Sequence, residues 1–336
     1  MTGVNIKRSR RALPVLLGAG VLIVAFASFL VGSTWLTPGE VLGGLFASGE
    51  DINAIIVREI RLPRVLLGLM AGASLGLSGA ALQGLLRNPL ADPGVIGVSA
   101  SAGLGAVFAI YFGLSSIFLL AVPLLAMTGA LLATLVLFIL ASRDASILTL
   151  ILAGIGINGL AVALTSLVMN FAPTPFSLLD MVMWLLGSLA NRSFTDIVLA
   201  GPFMILGWAL MAGVGQGLSA LSLGEETAQT LGVDLKRLRL QVILGTAISV
   251  GAAVAVCGTI GFIGLVVPHI MRHFFGHDPR RILLPSALGG AVFLSLADML
   301  TRIPLSGGEL RLGVVTAFVG SPVFLWIVIR TREAMR

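Results

Sequence analysis

Residues 147–169 read ILTLILAGIGINGLAVALTSLVM, a run of 23 residues without a charged side chain. About 20 apolar residues are enough to carry an α-helix across the hydrocarbon core of a bilayer. Because that core offers no water to the backbone N–H and C=O groups, the run predicts a helix that satisfies them internally. Its segment Gly154-Ile-Gly156-Ile-Asn-Gly159 matches the G-x-G-x-x-G pattern of dinucleotide sites, but no soluble strand precedes it. Close helix packing is the better interpretation of these glycines.

The composition extends this prediction to the whole chain. Of its 336 residues, 57% are hydrophobic and 11% are charged, against roughly 45–50% and about 25% in soluble domains. No stretch holds enough polar residues to cover a separate water-facing domain, so residues 1–336 are predicted to form a single integral membrane domain. The single Cys257 excludes an intrachain disulfide.

Ten apolar runs predict an all-α, polytopic membrane fold with ten transmembrane helices. The first run follows a basic segment but is about 20 residues long and lacks a small-residue cleavage pattern, which favours a retained helix over a signal peptide. Leu178 to Leu189 is too short to cross and is bracketed by prolines and Asn191, which predicts a half-helix. Gly72-x-x-x-Gly76 predicts close helix packing. The ten runs are residues 13–32, 65–86, 95–112, 117–140, 147–169, 197–220, 240–258, 260–272, 282–297 and 313–330.

Basic residues are distributed unevenly between the two sides that ten crossings define. Of the 21 Lys and Arg residues, fifteen fall on the side of the termini and six on the other. Because cytoplasmic loops carry the excess of Lys and Arg, both termini of this multi-pass protein are predicted to be cytoplasmic. This distribution also accounts for the net charge of +6, and no nucleic-acid partner is expected.

Residues 221–239, LSLGEETAQTLGVDLKRLR, form the longest polar interval in the C-terminal half. Two carboxylates after Gly224 favour the positive end of a helix, and Leu231-Gly232 predicts a left-handed cap at its other end. Thr227, Ala228 and Leu231 would share one face, which a groove on a cytoplasmic protein could accept. The alternative is a loop that only rests on lipid.

The Asp, Glu, Lys and Arg residues lie at or beyond the ends of the apolar runs. Carriers driven by an ion gradient normally have such groups within the bilayer, so the energy for uphill transport is expected from a partner. Asp298 and Arg302, four residues apart, are predicted to form an ion pair. No Walker motif is present, and no catalytic residue or nucleotide hydrolysis by this chain is expected.

His269, His273 and His277 recur every four residues, a spacing that could place three imidazoles on one helical face for zinc. Pro268 and Gly276 interrupt such a helix, and no H-E-x-x-H pattern accompanies it. Interfacial histidines are the better interpretation, so neither a metal site nor another cofactor is expected. A Ser-His hydrolase within the bilayer would need a histidine at membrane depth, away from this loop.

Arg58-Glu-Ile-Arg61-Leu-Pro-Arg64 is predicted to be an outer loop that opens the second helix. Three arginines are unusual on that side. They could extend to the lipid headgroups, or they could form a docking patch for carboxylates of a soluble partner, together with Arg302 and Arg311. The residues alone favour neither alternative.

Several stretches, taken together, resemble a known family. They are Arg61-Leu-Pro-Arg64, the segment 79–93 (GAALQGLLRNPLADP) with Gly97-Val-Ser, Trp184-Leu-Leu-Gly-Ser-Leu, Leu223-Gly-Glu to Leu231-Gly-Val, the segment 258–269 (GTIGFIGLVVPH) and the segment 309–322 (ELRLGVVTAFVGSP). In this order they resemble the permease subunits of type II ABC importers for ferric siderophores, haem and cobalamin, the FecCD-like family.

The resemblance implies an architecture, a location in the bacterial inner membrane and a function. We expect two permease copies in the lipid bilayer, most simply a homodimer, with a cytoplasmic dimer of ATP-binding cassette ATPases and a periplasmic substrate-binding protein. The complex would import a bulky metal chelate, haem or a ferric siderophore first and cobalamin next, by alternating access. A gradient-driven secondary carrier and a membrane enzyme are the alternatives.

The resemblance also assigns residues, by the positions that match the family's motifs. Coupling to the ATPase falls on Gly224, Glu225, Ala228, Leu231, Gly232 and Val233, within a cytoplasmic loop of about residues 221–239. Docking of the binding protein falls on Arg61, Arg64 and Arg302. The cytoplasmic gate falls on Asn88, Pro89 and Leu90, with Ile147 and Leu148 as its second part. There the chain departs from relatives that have small hydroxyl residues, and Arg311 stands where many relatives have proline.

Overall fold

The computed structural model describes residues 3–32, 34–46, 51–142, 147–303 and 310–334, and within these ranges it contains helices and turns but no strand. The predicted all-α fold is therefore confirmed. The helices are α1 (Gly3–Leu30), α2 (Pro38–Phe46), α3 (Ile52–Ile55), α4 (Leu62–Leu85), α5 (Val98–Tyr111), α6 (Leu114–Ile117), α7 (Ala121–Ser142), α8 (Ile147–Asn170), α9 (Pro175–Leu185), α10 (Phe194–Met211), α11 (Gly215–Leu221), α12 (Glu225–Thr230), α13 (Leu235–Cys257), α14 (Ile263–Phe275), α15 (Pro279–Thr301) and α16 (Leu312–Ala334).

Seven of the described helical segments are long and apolar enough to cross a membrane, and four shorter apolar helices accompany them. Counting α5, α14 and α16 as crossings gives the ten that the sequence predicts, with α9 as the predicted half-helix. Length alone does not fix this count. The ninth predicted run, 282–297, belongs to a 23-residue helix, because Asp278 caps its start and Pro279 occupies its first turn.

Helices α4, α13 and α15 form the buried centre, while α1 and α8 lie at the periphery. Glycines let the central helices touch backbone to backbone. A Cβ built on Gly72 would lie 2.3 Å from the carbonyl oxygen of Gly290, and one on Gly76 would lie 2.0 Å from that of Ser286. The predicted close packing at this pair is therefore confirmed, between α4 and α15.

Close helix packing is also predicted for the three glycines of α8, and there the structure differs. Gly154 is buried, and its carbonyl oxygen lies 2.8 Å from where a Cβ on Gly97 would be. Gly156 and Gly159 have no atom within 4 Å of a built Cβ. The prediction that all three serve helix packing is wrong within this chain, because α8 turns that face outward.

The predicted outer loop at residues 58–64 is helical. A π-helix, Ile56–Arg61, joins α3 to α4 without a break, so the helix extends outward beyond its apolar run. The loop prediction is wrong because three arginines within seven residues are typical of a water-exposed connection. Helix α2, whose Val41 packs in a small second core with Phe29 and Val57, lies beside it.

Three chain segments meet where α9 ends. The backbone N–H of Ser188 donates to the carbonyl of Cys257 (2.8 Å), and that of Gly313 donates to the carbonyl of Leu186 (2.9 Å). Gly187 and Gly258 both have positive φ, and a Cβ on Gly258 would lie 2.4 Å from the carbonyl oxygen of Trp184. These contacts bring the end of α13 and the start of α16 together beside a large cavity.

Candidate functional site

Helix α12 is a short polar helix that ends in the predicted left-handed cap. Gly232 has φ +82°, its N–H donates to the carbonyl of Gln229 (2.9 Å), and the N–H of Val233 donates to that of Ala228 (3.0 Å). This pair of hydrogen bonds is a Schellman motif, which satisfies carbonyls that a helix end otherwise leaves open. Gly224, before the first turn, also has positive φ. Both glycines therefore define where α12 begins and ends.

Side-chain contacts fasten α12 to the membrane-spanning body. Ala228 has no accessible surface and belongs to the main core. Glu225 forms an ion pair with Arg239 of α13 (3.1 Å). The prediction that Ala228 shares an outward face with Thr227 and Leu231 is therefore wrong, because α12 is too short to present Ala228 outward while it packs on α11 and α13. Ala228 holds the helix in place.

Leucines are exposed on either side of α12. Leu223 is 67% exposed and Leu231 is 64% exposed. A depression of about 580 Å³, lined by Gly217, Leu231, Gly232, Val233 and Arg237 among others, lies next to the end of α12. Apolar side chains beside a rim of polar groups are typical of a protein interaction surface.

The turn Asn88-Pro89-Leu90 is exposed at the end of α4. The side-chain oxygen of Asn88 accepts a hydrogen bond from the N–H of Leu90 (2.9 Å), which fixes the turn. A small cavity of about 130 Å³ separates it from α8 and is lined there by Leu150 and Ile151. Leu148 is 64% exposed and does not line this cavity. Ile147 begins α8, and its side chain lies outside the described residues.

Gln83 connects this turn to α14. Its side-chain nitrogen donates to the carbonyl oxygens of Ala91 (3.2 Å) and Gly264 (3.2 Å) and lies 3.4 Å from that of Leu265. Gln83 is buried, so this amide is a polar contact in an otherwise apolar helix interface. Sequence reasoning missed it, although a glutamine among the small residues of α4 is a signal that could have been followed.

A large cavity, of about 790 Å³, lies between α16, the linker 259–262 and the start of the turn at Asp92. Its walls are mainly apolar and include Leu75, Phe262, Val314 and Phe318. Asp92 is the only charged side chain among the described residues that line it. Cavities of this size accept drug-sized ligands or larger ones when a partner completes them.

Asp92 is positioned by its own backbone. Its Oδ1 accepts a hydrogen bond from the N–H of Gly94 (2.7 Å) at the start of the 3₁₀-helix Pro93–Ile96. Burial raises the pKa of the Asp92 carboxyl above its usual 3.8, and the hydrogen bond from Gly94 opposes this rise in part. The carboxyl also lines the small cavity beside Leu90. It therefore stands between the two cavities.

The raised pKa of Asp92 predicts a pH dependence of stability. A carboxyl that holds its proton more tightly in the folded state than in the unfolded state contributes to stability at low pH. That contribution is complete below the pKa of the unfolded state and is lost as pH rises through the pKa of the folded state. Asp92→Asn, which cannot ionise, should reduce the fall in melting temperature that occurs as pH rises above the usual pKa of an aspartate, about 4. Melting curves of both proteins over a series of pH values test this, and parallel pH profiles would refute the assignment.

A cluster of three arginines and one aspartate lies at the end of the molecule opposite to the Asn88-Pro89-Leu90 turn. Asp298 accepts hydrogen bonds from Arg64 Nε and Nη2 (3.0 and 2.8 Å) and from Arg302 Nε and Nη2 (3.0 and 2.5 Å). Its side chain is only 3% exposed. The predicted ion pair between Asp298 and Arg302 is confirmed, and Arg64 is a second partner.

Arg61 and Arg302 also bind the end of α1. Arg302 donates to the carbonyls of Ser28 (2.6 Å) and Val31 (3.1 Å), and Arg61 donates to those of Phe29 and Thr34. Cations are favoured at a helix C-terminus because its last carbonyls have no partner within the helix. Arg61 is buried and the Arg302 side chain is 5% exposed, whereas Arg64 keeps 16% of its side-chain surface exposed. The three arginines thus fasten α1, α4 and α15 to one another.

The three histidines do not share one helical face. Helix α14 ends at Phe275, and Gly276 has φ +85°, so His277 lies beyond the helix. His273 packs its ring edge-on against Phe274, with centroids 5.4 Å apart. Within the described ranges, no three His, Cys, Asp or Glu side chains are grouped closely enough to hold a metal ion.

Comparison with known proteins places these features in a family. The model of the FecCD transport family matches residues 20–330. The chain belongs to the FecCD transport family. It is 41% identical over 300 residues to the uncharacterized ABC transporter permease protein YvrB of Bacillus subtilis (strain 168), covering 88% of this chain and 84% of YvrB. It is 39% identical over 313 residues to the vitamin B12 import system permease protein BtuC of Salmonella paratyphi A, covering 93% of each.

A solved structure supports the same fold for this FecCD-family chain. The chain is similar to the solved structure of a metal-chelate type ABC transporter in an inward-facing conformation. The TM-score is 0.84 and the sequence identity is 31%, and the match covers 95% of this chain and 99% of the other. A second structure, PsaBC from Streptococcus pneumoniae in complex with Fab, has a TM-score of 0.53 at 16% identity and shares the fold alone. The resemblance seen in the sequence is therefore confirmed.

Proposed function

We propose that this FecCD-family protein is the membrane-spanning permease subunit of an ATP-driven importer that moves a bulky metal chelate into the cell. The observation that carries the proposal is α12, a capped helix fixed to the body with Leu223 and Leu231 exposed beside it. A surface of this kind suits a soluble ATPase that pushes on the permease. The chain then contributes no hydrolysis itself, and a dimer of ATP-binding cassette ATPases supplies the energy.

The cavity favours a large and mostly apolar cargo. Its walls carry few polar groups, so recognition of fine chemical detail is left to a substrate-binding protein. The relative BtuC is named for vitamin B12 import, and the similar solved structure is of metal-chelate type. Cobalamin, haem and ferric siderophores are accordingly the first substrates to test.

A second permease copy completes the proposal. The cavity opens on a face where Phe318 of α16 is strongly exposed, and α8 presents Leu152, Ile155 and Leu160 to the outside. Two copies facing each other would enclose a path between them, in a symmetric homodimer. Alternating access then requires the two copies to rock about this interface, between openings at the binding-protein side and at the Asn88-Pro89-Leu90 turn.

The protein is a membrane-spanning protein of the bacterial inner membrane, and we infer that both termini and α12 lie in the cytoplasm. The excess of Lys and Arg on that side supports this orientation. The cluster around Asp298 then faces the periplasm. Of the three predicted docking arginines, Arg64 is the one that keeps accessible surface, so carboxylates of a binding protein would meet Arg64 while Arg61 and Arg302 hold it in place.

Reconstitution separates this proposal from a gradient-driven secondary carrier. The permease, its ATPase and its binding protein are placed in liposomes, and uptake of labelled cobalamin, haem and a ferric siderophore is followed. Uptake should require hydrolysable ATP and should persist with ionophores that collapse ion gradients. Uptake that proceeds without ATP and stops with ionophores would favour the secondary carrier.

Exposed leucines beside α12 provide a direct test of coupling. Leu223→Ser combined with Leu231→Ser should weaken association with the ATPase by about tenfold or more, because exposed apolar anchors carry much of the energy of such interfaces. Leu42→Ser, at an exposed leucine of α2 on the other side, is the matched control and should leave association unchanged. Binding is measured by titrating detergent-solubilised permease with ATPase. Equal affinities for the double variant and the control would remove α12 from the interface.

A further inference from the structure

A second cavity, of about 370 Å³, lies between the ends of α4, α11, α14 and α15. It shares no lining residue with the apolar cavity beside α16. Its walls carry Arg87, His269, Arg272 and His277, together with Gln83 and Ser222. None of the described residues that line it carries a carboxylate. This is a compact cationic cavity at the end of the molecule that bears α12.

Three residues that line it carry a buried polar atom without a hydrogen-bond partner, namely Nδ1 of His269, one terminal guanidinium nitrogen (Nη1) of Arg272 and the side-chain oxygen (Oε1) of Gln83. A buried donor without a partner destabilises a protein by about 1–3 kcal/mol, and by more when it is charged. His269 and Arg272 are three residues apart on α14, so they lie on the same side of the helix. The two nitrogens lack an acceptor and the Gln83 oxygen lacks a donor, and a protonated phosphate in the cavity could supply both.

The nearest carboxylate in sequence does not supply that acceptor. Asp278 directly follows His277, but its Oδ1 accepts hydrogen bonds from Ser219 Oγ (2.5 Å) and from the N–H of Arg280 (3.1 Å). Its Oδ2 pairs with Arg281 (3.3 Å). Asp278 is thus held on the α11 side by other donors. The cationic cavity is left without an internal counter-ion.

We propose that this cavity binds a phosphate group, from either an anionic lipid headgroup or free phosphate. Guanidinium groups match phosphate oxygens in geometry, and histidine N–H groups add further donors. A volume of about 370 Å³ falls within the roughly 300–1,000 Å³ of small-ligand sites. The apolar cavity described above, by contrast, offers one charged side chain, and that charge is negative. The two cavities therefore take ligands of different chemistry.

The proposed phosphate site lies between α4, α14 and the segment that leads into α12. Ser222 lies between α11 and the capped helix α12, and Arg87 precedes the Asn88-Pro89-Leu90 turn. A phosphate bridging Arg87, Arg272 and the backbone near Ser222 would link α4 and α14 to the segment that enters α12. Binding should therefore stabilise the folded chain without requiring an ATPase, a binding protein or a transported substrate.

Thermal unfolding of the full-length chain tests the proposal. Cys257 is the single cysteine and is buried, so a thiol-reactive fluorescent dye reports its exposure on unfolding. Nanodiscs of phosphatidylcholine receive inorganic phosphate at constant ionic strength, and a second set contains phosphatidylglycerol in place of part of the phosphatidylcholine. A saturable rise in melting temperature with inorganic phosphate identifies free phosphate, and a rise only with phosphatidylglycerol identifies a lipid headgroup. No rise with either probe would overturn the proposal.

Two substitutions localise the effect. Arg272→Gln should weaken the apparent affinity by about tenfold or more, since a charge-assisted hydrogen bond is lost. Arg280→Gln removes an exposed guanidinium from the start of α15 that does not line the cavity, and it should change the affinity less than about twofold. Should Arg272→Gln not fold, Arg87→Gln with His277→Gln, both at exposed positions, must lower the affinity instead. Equal shifts in the cavity variants and in Arg280→Gln would refute the site.

Discussion

Replacing Asp298 with alanine is expected to lower the free energy of unfolding by about 3–5 kcal/mol, because it leaves the buried guanidinium of Arg302 and the partly exposed one of Arg64 without their counter-ion. Arg302 is buried by its contacts with the end of α1, and Arg64 lies on α4. Neither side chain can turn to water without breaking further hydrogen bonds. The variant should therefore loosen α1, α4 and α15 together. Dye labelling of Cys257 during denaturant unfolding in detergent measures the change.

Asp180→Ala is the matched control for Asp298→Ala. Asp180 is an exposed carboxylate on α9, and the same substitution there should change the free energy of unfolding by less than about 0.5 kcal/mol. Asp298→Asn, which keeps one hydrogen-bond acceptor but not the charge, should fall between the two alanine variants. If both alanine variants unfolded alike, the cluster could not be what holds these three helices together.

Gly76→Ala is expected to destabilise the protein by about 3 kcal/mol or more, at the upper end of what overpacking produces. The added methyl group would lie 2.0 Å from the carbonyl oxygen of Ser286. Backbone atoms stand on both sides of this contact, so no side chain can rotate away to make room. Helices α4 and α15 must separate instead, and the separation would also disturb Gly72 and Gly290. The melting temperature in detergent and the yield of folded protein measure the effect.

Gly20→Ala makes the same chemical change where space is free. A Cβ on Gly20 of α1 would have no atom within 4 Å. Since alanine is the better helix former, this variant should be as stable as the natural chain or up to about 1 kcal/mol more stable. A similar loss of stability in both variants would mean that the α4–α15 contact is looser than the structure indicates.

The sequence predicted those parts of the fold that depend on hydropathy and local signals. Apolar runs located the long helices, and Leu231-Gly232 located the cap of α12, because a left-handed residue after a helix depends on a few neighbouring residues. Boundaries within polar segments were predicted less well. Residues 58–64 were expected to be a loop, since nothing local shows that Arg61 reaches the carbonyls at the end of α1.

Long-range partners account for most of what the sequence could not predict about the site. Asp298 and Arg302 are four residues apart, and their ion pair followed from helical spacing. Arg64 is 234 residues away from Asp298, so no periodicity links them. Ala228 was assigned to the wrong face because three residues of a six-residue helix can be placed on more than one surface. Asp92 was read as part of a motif, and its place beside the cavity required α16 to be in position.

The amide of Gln83 ties the Asn88-Pro89-Leu90 turn to the start of α14. Because it joins the carbonyls of Ala91 and Gly264 through one side chain, a movement of the turn relative to α14 would break two buried hydrogen bonds. We therefore expect the turn, α4 and the start of α14 to move as one rigid body. The backbone must then bend outside these three segments. Gly258 and Phe262 both have positive φ. The linker between them is the hinge about which such a rigid body would rotate.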